Sequence, residues 1–305
     1  MGGLGLMFRR RAIQAHPTAG SDYIKFADEE VLRVLMNKGV SSDGVGITKA
    51  DAASVTSIMG WFSKNATIKT FDELRFFTGL KKLEKTSNNV GAFQNCTALE
   101  SIVLPDDLEE IGENCFSGCT SLTGIIDIRD KNIKVLGSNC YNGCTGITDI
   151  YLGESTEKLD APYRYAKFKY SPDGIIRLPN LKGTLGYYVF QGSDIVRVED
   201  LGNVEIIGAT KQGYYCYTFY QCYNLEFLRF PASVTNIGSR ACQRNSKMTT
   251  VVLESVVPPT LAEGDIFYPN KCNFYVPDES VEAYKAANIW SVYAARIFPM
   301  SQLAE

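Results

Sequence analysis

Histidine is nearly absent: the 305 residues hold one, His16. With a single imidazole in a Gly- and Arg-bearing N-terminal stretch, Ser–His and Cys–His catalysis lack a base near any nucleophile. A P-loop, a G-x-G-x-x-G turn and a cluster with metal-ligand spacing are also missing. The net charge is only −3 and the signs are mixed along the chain, so nothing electrostatic points to nucleic acid. No apolar run reaches the ~18 residues of a membrane-spanning helix. The paired acids Asp106-Asp107 and Glu109-Glu110 lie in an expected turn, where solvated charge is the plain reading. The residues therefore argue against an enzyme and call for no cofactor.

What the chain has is a repeat. Phe93-Gln-Asn-Cys96-Thr-Ala-Leu99-Glu-Ser-Ile102-Val-Leu104-Pro105 starts again at Phe116-Ser-Gly-Cys119-Thr-Ser-Leu122, returns at Tyr141-Asn-Gly-Cys144 and Phe219-Tyr-Gln-Cys222, and weakens to Cys242-Gln-Arg-Asn245. Phe93 to Phe116 is 23 residues and Phe116 to Tyr141 is 25, a period that means stacked units. Ile102 and Leu104 alternate as in a short strand with one face buried, and Leu104-Pro105, Leu178-Pro179 and Phe230-Pro231 end such strands because Pro cannot donate to a ladder. The later Ile111-Gly112, Leu136-Gly137, Leu185-Gly186, Ile207-Gly208 and Ile237-Gly238 read as turns in which Gly takes a positive φ. One unit cannot cover its own apolar side, whereas a stack can, so the expectation is a repeat solenoid with one continuous core.

The recurring A/C-F-x-x-C-x-x-L-x-x-I-x-L-P-x-x-L-x-x-I-G pattern resembles the BspA-type leucine-rich repeat of bacterial, Bacteroides-like, and some protozoan surface proteins. The resemblance covers roughly Leu80 to the C-terminus. It implies a β-rich leucine-rich repeat solenoid, adhesion and protein binding, and a cell-surface or extracellular place. Between Tyr141 and Phe190 the pattern degrades into two irregular repeats, with Phe168 expected in the aromatic slot and Ser171 in the Cys slot. The unit after Phe190 is lengthened around Thr210–Tyr217.

Nine cysteines make an odd number. Cys96, Cys119, Cys144 and Cys222 share one repeat slot, and Cys115 and Cys140 another. Metal ligation and disulfides are alternatives, but equivalent slots stack, so a column of small buried thiols accounts for the pattern most directly.

In chain order, residues 1–22 are expected to be a flexible tail. Its opening places Leu4, Leu6, Met7 and Phe8 before Arg9-Arg10-Arg11, the reverse of a secretory signal; either export follows another route or the start is not the natural one. Residues 23–79 are expected to form a helical N-terminal cap. Asp28 caps a helix bearing Val31, Leu32, Leu35 and Met36 that Gly39 closes; Thr48 and Asp51 have capping-box spacing ahead of a stripe at Val55, Ile58, Met59 and Phe62; Thr70 and Glu73 repeat the device. The stretch Val40–Asp51 resembles a worn EF-hand or dockerin-type loop. With Ile47 at its eighth position, Val40, Ser42 and Gly44 stand where calcium needs oxygen ligands and Val45 where it needs Gly, so no bound metal is expected. Residues 80–267 are the expected solenoid, and residues 268–305 a C-terminal cap in which Asp278 starts a short helix carrying Val281 and Tyr284, with Trp290 beyond.

Tyrosines thicken between Tyr163 and Tyr223. Tyr187, Tyr188, Tyr214 and Tyr215 fall outside the repeat slots, beside the lengthened unit. They are either plugs for irregular coils or a contact patch, since Tyr is favoured at interfaces and insertions in repeats map to binding faces. The favoured functional reading is a non-catalytic protein-binding or adhesion module whose partner is a protein on a host or bacterial surface, without membrane insertion. The alternative is a structural component of a phage-tail or cell-envelope assembly, which the absence of a visible signal peptide favours.

Overall fold

The structure, a computed structural model, describes residues 22–163, 168–208, 215–263, 265–268 and 271–303. Each repeat folds into one coil carrying two short strands, and the coils stack in parallel to make a solenoid of about eight turns. The L-x-x-I-x-L segment supplies the first strand. It pairs Thr123–Asp127 with Gly146–Tyr151, and then builds one six-stranded sheet from Ile175–Arg177, Arg197–Asp200, Phe227–Phe230, Thr250–Leu253, Asn273–Val276 and Ile297–Pro299. The second strand ends at the Ile-Gly or Leu-Gly step. It forms two four-stranded sheets, Lys82–Leu83 through Lys158–Leu159 and Lys182–Leu185 through Thr260–Leu261. Leu83, Ile111, Leu136, Leu159, Leu185, Ile207, Ile237 and Leu261 all point into the core from these strands.

The Ile-Gly step was expected to be a turn with positive φ. Of those glycines only Gly208 has one, +83°. Gly112 and Gly137 are required for a different reason: a Cβ on Gly112 would lie 2.5 Å from the Leu83 carbonyl oxygen, and one on Gly137 would lie 2.5 Å from the Glu113 nitrogen. They let one coil's backbone seat against the previous one. The left-handed residues lie slightly later, where Asn114 (φ +58°) and Asn139 (φ +56°) precede the aromatic by two positions, and Gly118 (φ +78°) and Gly143 (φ +80°) follow it by two. Asn and Gly are the residues that take this conformation most readily.

A stack of rings runs through the core. Phe62, Phe93, Phe116 and Tyr141 succeed one another at 5.2, 5.3 and 5.4 Å, with planes 14°, 3° and 5° apart. Beside it runs the thiol column. Cys96, Cys119 and Cys144 donate to the carbonyls of Phe62, Phe93 and Phe116 at 3.1, 3.1 and 3.0 Å, and Cys222 to that of Phe190 at 2.9 Å. Each thiol thus fills a small apolar slot and satisfies a carbonyl of the preceding coil. All nine cysteines are unbridged and buried. Burial pushes Cys96, Cys222 and Cys272 up to about 12, and raises Cys140 and Cys242 well above the ordinary thiol value.

The irregular coil departs from the expected register. Phe168 is buried, but the ring that meets Phe190 is Tyr170, edge-on at 5.1 Å. Ser171 is not in the thiol slot: it is only half-buried and donates to Asp173. Ser193, three residues after Phe190, takes that place instead, 3.5 Å from the Cys222 sulfur.

Ahead of the repeats, helix Glu29–Asn37 is capped by Asp28, whose carboxylate accepts from Glu30 N, and closed at Gly39 (φ +74°). Thr48 and Asp51 form the reciprocal capping box of helix Lys49–Ser54. That helix stops at Ser54, so Val55, Ile58, Met59 and Phe62 do not form a helical stripe. Ile58 and Phe62 instead enter the core from turns, and Phe62 heads the ring stack. Thr70 and Glu73 do not cap a helix either. Thr70 lies in strand Thr70–Phe71, paired with Ser101–Ile102, and the Glu73 carboxylate accepts from Ala27 N at 3.1 Å. A first coil is thereby assembled from Phe62, Thr70–Phe71 and Lys82–Leu83. At the other end helix Val281–Ala286 carries Tyr284, whose hydroxyl donates to the Ser255 carbonyl, while Trp290 Nε1 donates to Pro259 O. Asp278 does not cap this helix; its carboxylate accepts from Ser301 N at 3.0 Å.

Candidate binding surface

The turn that follows the second strand carries the left-handed slots, and its composition changes along the solenoid. Two residues before the aromatic, the Asn114 and Asn139 position becomes Tyr188 (φ +61°), Tyr217 (φ +52°) and Arg240 (φ +56°). Two residues after it, the Gly118 and Gly143 position is still Gly at Gly192 (φ +69°) and becomes Gln221 (φ +59°) and Arg244 (φ +64°) in the next two coils. Bulky residues in this region are strained by about 1–2 kcal/mol each, and strained residues persist where the surrounding structure holds them, often at functional sites. Register here is fixed by the backbone: Tyr188 N donates to Cys216 O at 2.9 Å, Phe190 N to Thr218 O at 2.8 Å and Phe219 N to Ala241 O at 2.7 Å. The chain is therefore back in the repeat by Cys216, and Tyr217 belongs to a slot rather than to the lengthened segment.

These side chains make a ridge across consecutive coils. Tyr187 and Tyr188 are 6.2 Å apart, Tyr188 stacks on Tyr217 at 5.6 Å, and Tyr217 meets Tyr215 at 5.6 Å and Tyr220 edge-on at 4.6 Å. The Arg240 guanidinium carbon lies 3.7 Å from the centre of the Tyr215 ring, and that of Arg244 lies 5.8 Å from Tyr220. Tyr187 and Tyr215 are 38% and 45% exposed, and Tyr188 is half-buried. Of the four tyrosines singled out in the sequence, the structure brings Tyr187, Tyr188 and Tyr215 into one ridge, while Tyr214 lies outside the described residues. Tyr217, Tyr220, Arg240 and Arg244 were not singled out. Aligning the coils on the Asn114 and Gly118 slots would have found Tyr217, Arg240 and Arg244.

Other places carry less. The acids Asp106, Asp107, Glu109 and Glu110 pair with Lys131, Lys81, Lys134 and Lys82 of neighbouring coils, a solvated lattice of the kind that contributes little individually. A cleft of about 500 Å³ opens where the irregular coil separates strand Gly146–Tyr151 from Ile175–Arg177. Its Arg129 and Arg177 are already paired with Asp127 and with Asp173 and Glu199. In the loop that resembles an EF-hand, Asp43 is bound by the Tyr23 hydroxyl and by the backbone of Val45 at 2.8 Å, which hold its carboxyl down at about 2. Asp51 is taken up by its capping box. Among the described residues no group of three His, Cys, Asp or Glu could hold a metal ion, and no helix is long and apolar enough to cross a membrane. His16 lies outside the described residues.

Against known families, the model of the BspA-type leucine-rich repeat region matches residues 82–197 and 174–268, in six copies. The chain belongs to the BspA-type leucine-rich repeat family. No curated protein matches it. Among solved structures it is similar to a leucine-rich repeat protein of T. pallidum, with 22% identity over 56% of this chain and 72% of the other and a TM-score of 0.31. It is similar to a leucine-rich repeat protein of Bacteroides ovatus, with 17% identity over 76% and 84% and a TM-score of 0.26. It is also similar to the pneumococcal vaccine antigen PcpA, with 16% identity over 81% and 76% and a TM-score of 0.33. Likeness at this level carries no argument about function.

Proposed function

We propose that the chain is a non-catalytic protein-binding module of the adhesion type, and that its contact surface is the ridge of Tyr187, Tyr188, Tyr215, Tyr217 and Tyr220. The observation that carries this reading is the change in the left-handed slots, from Asn and Gly in the early coils to Tyr, Gln and Arg at every later slot described above except Gly192. Backbone geometry alone is served better by Asn or Gly, so the bulky side chains serve something other than the fold. Tyrosine gives a large rigid contact area at low entropy cost and keeps a hydroxyl for a partner. Leucine-rich repeat scaffolds supply the rigidity that makes such a surface usable, and family membership supports a role in protein interaction at a surface. The exposed rings Tyr187 and Tyr215 separate this reading from a packing role. Replacing both with Ser should weaken capture on intact bacterial and host cells while leaving the melting temperature unchanged. Capture that survives the double change refutes the assignment, and a melting temperature that drops with capture intact returns the rings to a packing role.

A further inference from the structure

We infer that the ridge takes a carboxylate-bearing segment of a partner polypeptide, with Arg240 and Arg244 as the groups that hold it. This rests on the ridge being the contact surface and adds the chemistry of what the surface touches. Four other guanidinium groups of the solenoid are paired with carboxylates: Arg129 with Asp127, Arg177 and Arg197 with Glu199, and Arg229 with Glu254. Among the described residues Arg240 and Arg244 make no ion pair; each sits over a tyrosine ring. The Arg240 Nε is buried and has no hydrogen-bond partner. The acids of the next coil are engaged by neutral donors, Glu263 by the Ser239 hydroxyl and Asp265 by the Gln243 amide at 2.8 Å. Arg240 also hydrogen-bonds the Tyr217 side chain and is attracted by the Glu263 carboxylate, but neither arginine is drawn into an ion pair by these acids.

Both arginines also occupy left-handed slots that Asn and Gly fill in earlier coils, so each is held in a strained backbone without forming an ion pair. A guanidinium matches a carboxylate in a planar fork, and stacking on a ring orients that fork. The exposed Tyr215, which lies under Arg240, and Tyr268, whose carbonyl accepts from Arg244 N, favour a polypeptide, whose side chains offer apolar contact beside the acid, over a small anion.

The test uses the whole chain and a fluorescein-labelled octapeptide of alternating Glu and Gly, with Gln–Gly and Lys–Gly peptides as controls, read by anisotropy. The Glu–Gly probe should bind at least about tenfold more tightly than either control and weaken as salt is raised. Arg240→Asn with Arg244→Gly places in each slot the residue type of the early coils. It should fold with no loss of melting temperature and lose about tenfold or more in affinity for the probe, whereas Arg129→Gln should leave binding unchanged. A Glu–Gly probe that binds no better than Gln–Gly, or equal binding by the double variant, overturns the inference. Tighter binding of a polygalacturonate oligosaccharide than of the peptide overturns the polypeptide assignment. If Tyr187→Ser with Tyr215→Ser abolishes cell capture while the Glu–Gly probe does not bind, the ridge stands as the contact surface and the acidic partner falls.

Discussion

Gly137 and Gly186 occupy the same step of the repeat, and replacing each with Ala separates two explanations of why glycine is there. Neither has a positive φ. At Gly137 a Cβ would lie 2.5 Å from the Glu113 nitrogen and 2.8 Å from the Gly112 carbonyl carbon, both backbone atoms of the previous coil. Side chains cannot rotate out of this contact, so the two coils must separate. Overpacking of this kind costs about 1–3 kcal/mol. The Gly137 N to Ile111 O hydrogen bond, 2.8 Å long, is stretched with it, adding about 1 kcal/mol. Gly137→Ala should therefore destabilise by about 2–4 kcal/mol. At Gly186 the nearest atom to a Cβ is the Asp160 carboxylate oxygen, 3.6 Å away. Gly186→Ala should be neutral or stabilise by up to about 1 kcal/mol, because Ala narrows the unfolded ensemble. Urea denaturation with an unchanged slope reads both values. Equal losses at the two positions would refute close approach as the reason for the glycine.

Leu122 lies in the core between coils, and Leu122→Ala should lower stability by about 2–5 kcal/mol in the same assay. The buried thiols of Cys96, Cys222 and Cys272 have folded values of about 12 against about 8.5 in the unfolded chain. Their raised values contribute stability that is complete below about pH 8.5 and is lost as pH rises toward 12. The urea midpoint should fall between about pH 8 and about pH 10, and a flat profile would show that the thiols are not desolvated. Asp43 runs the other way: its carboxyl, held at about 2 by Tyr23 and Val45, contributes stability above the unfolded value of about 3.9 that is lost as pH falls toward 2, and Asp43→Asn should remove that part of the acid transition. Millimolar calcium against a chelator should leave the melting temperature unchanged; a rise would mean a ligand bound to the native state and would restore the EF-hand reading.

The period, the core positions and the family were legible because each rests on residues whose meaning is local: Leu99, Leu122 and Ile147 recur three places after a cysteine, and all three are buried. The second strand was missed because Ile111-Gly112 looks like a turn when read alone. Glycine signals either a positive φ or a close approach, and only the neighbouring coil decides between them. The first coil was missed because Phe62, Thr70–Phe71 and Lys82–Leu83 carry no L-x-x-I-x-L spacing, so their shared role appears only when the rings and strands stack. In the tyrosine-rich stretch, the rings were visible as a surplus over the repeat slots. Their grouping with Arg240 and Arg244 was not, since arginine on a solvated turn is unremarked in a sequence until the coils are aligned on the Asn114 and Gly118 slots.

A solenoid makes nearly the same backbone demand of successive coils, which is what allows one position to be compared with itself along the chain. At two places in most coils the demand is a left-handed residue, although Gly91 and Asp265, two before Phe93 and Phe267, do not share it. Asn95, Asn114, Gly118, Asn139 and Gly143 meet it with residues suited to that conformation; Tyr188, Tyr217, Gln221, Arg240 and Arg244 meet it with residues that are not. Each exception adds about 1–2 kcal/mol of strain, comparable to the loss of a helix cap. Some of this is returned by the ring contacts, since an aromatic pair is worth about 0.5–1.5 kcal/mol beyond its burial and Tyr217 makes three. Arg240 has one ring beneath it, worth about 0.5–1 kcal/mol at an exposed site, and a hydrogen bond with the Tyr217 side chain, worth about 1 kcal/mol, which together are of the size of its strain. Among the described residues the Arg244 side chain has only the Tyr220 ring, at 5.8 Å, so of the two arginines it is the one whose strain the contacts within the fold offset least.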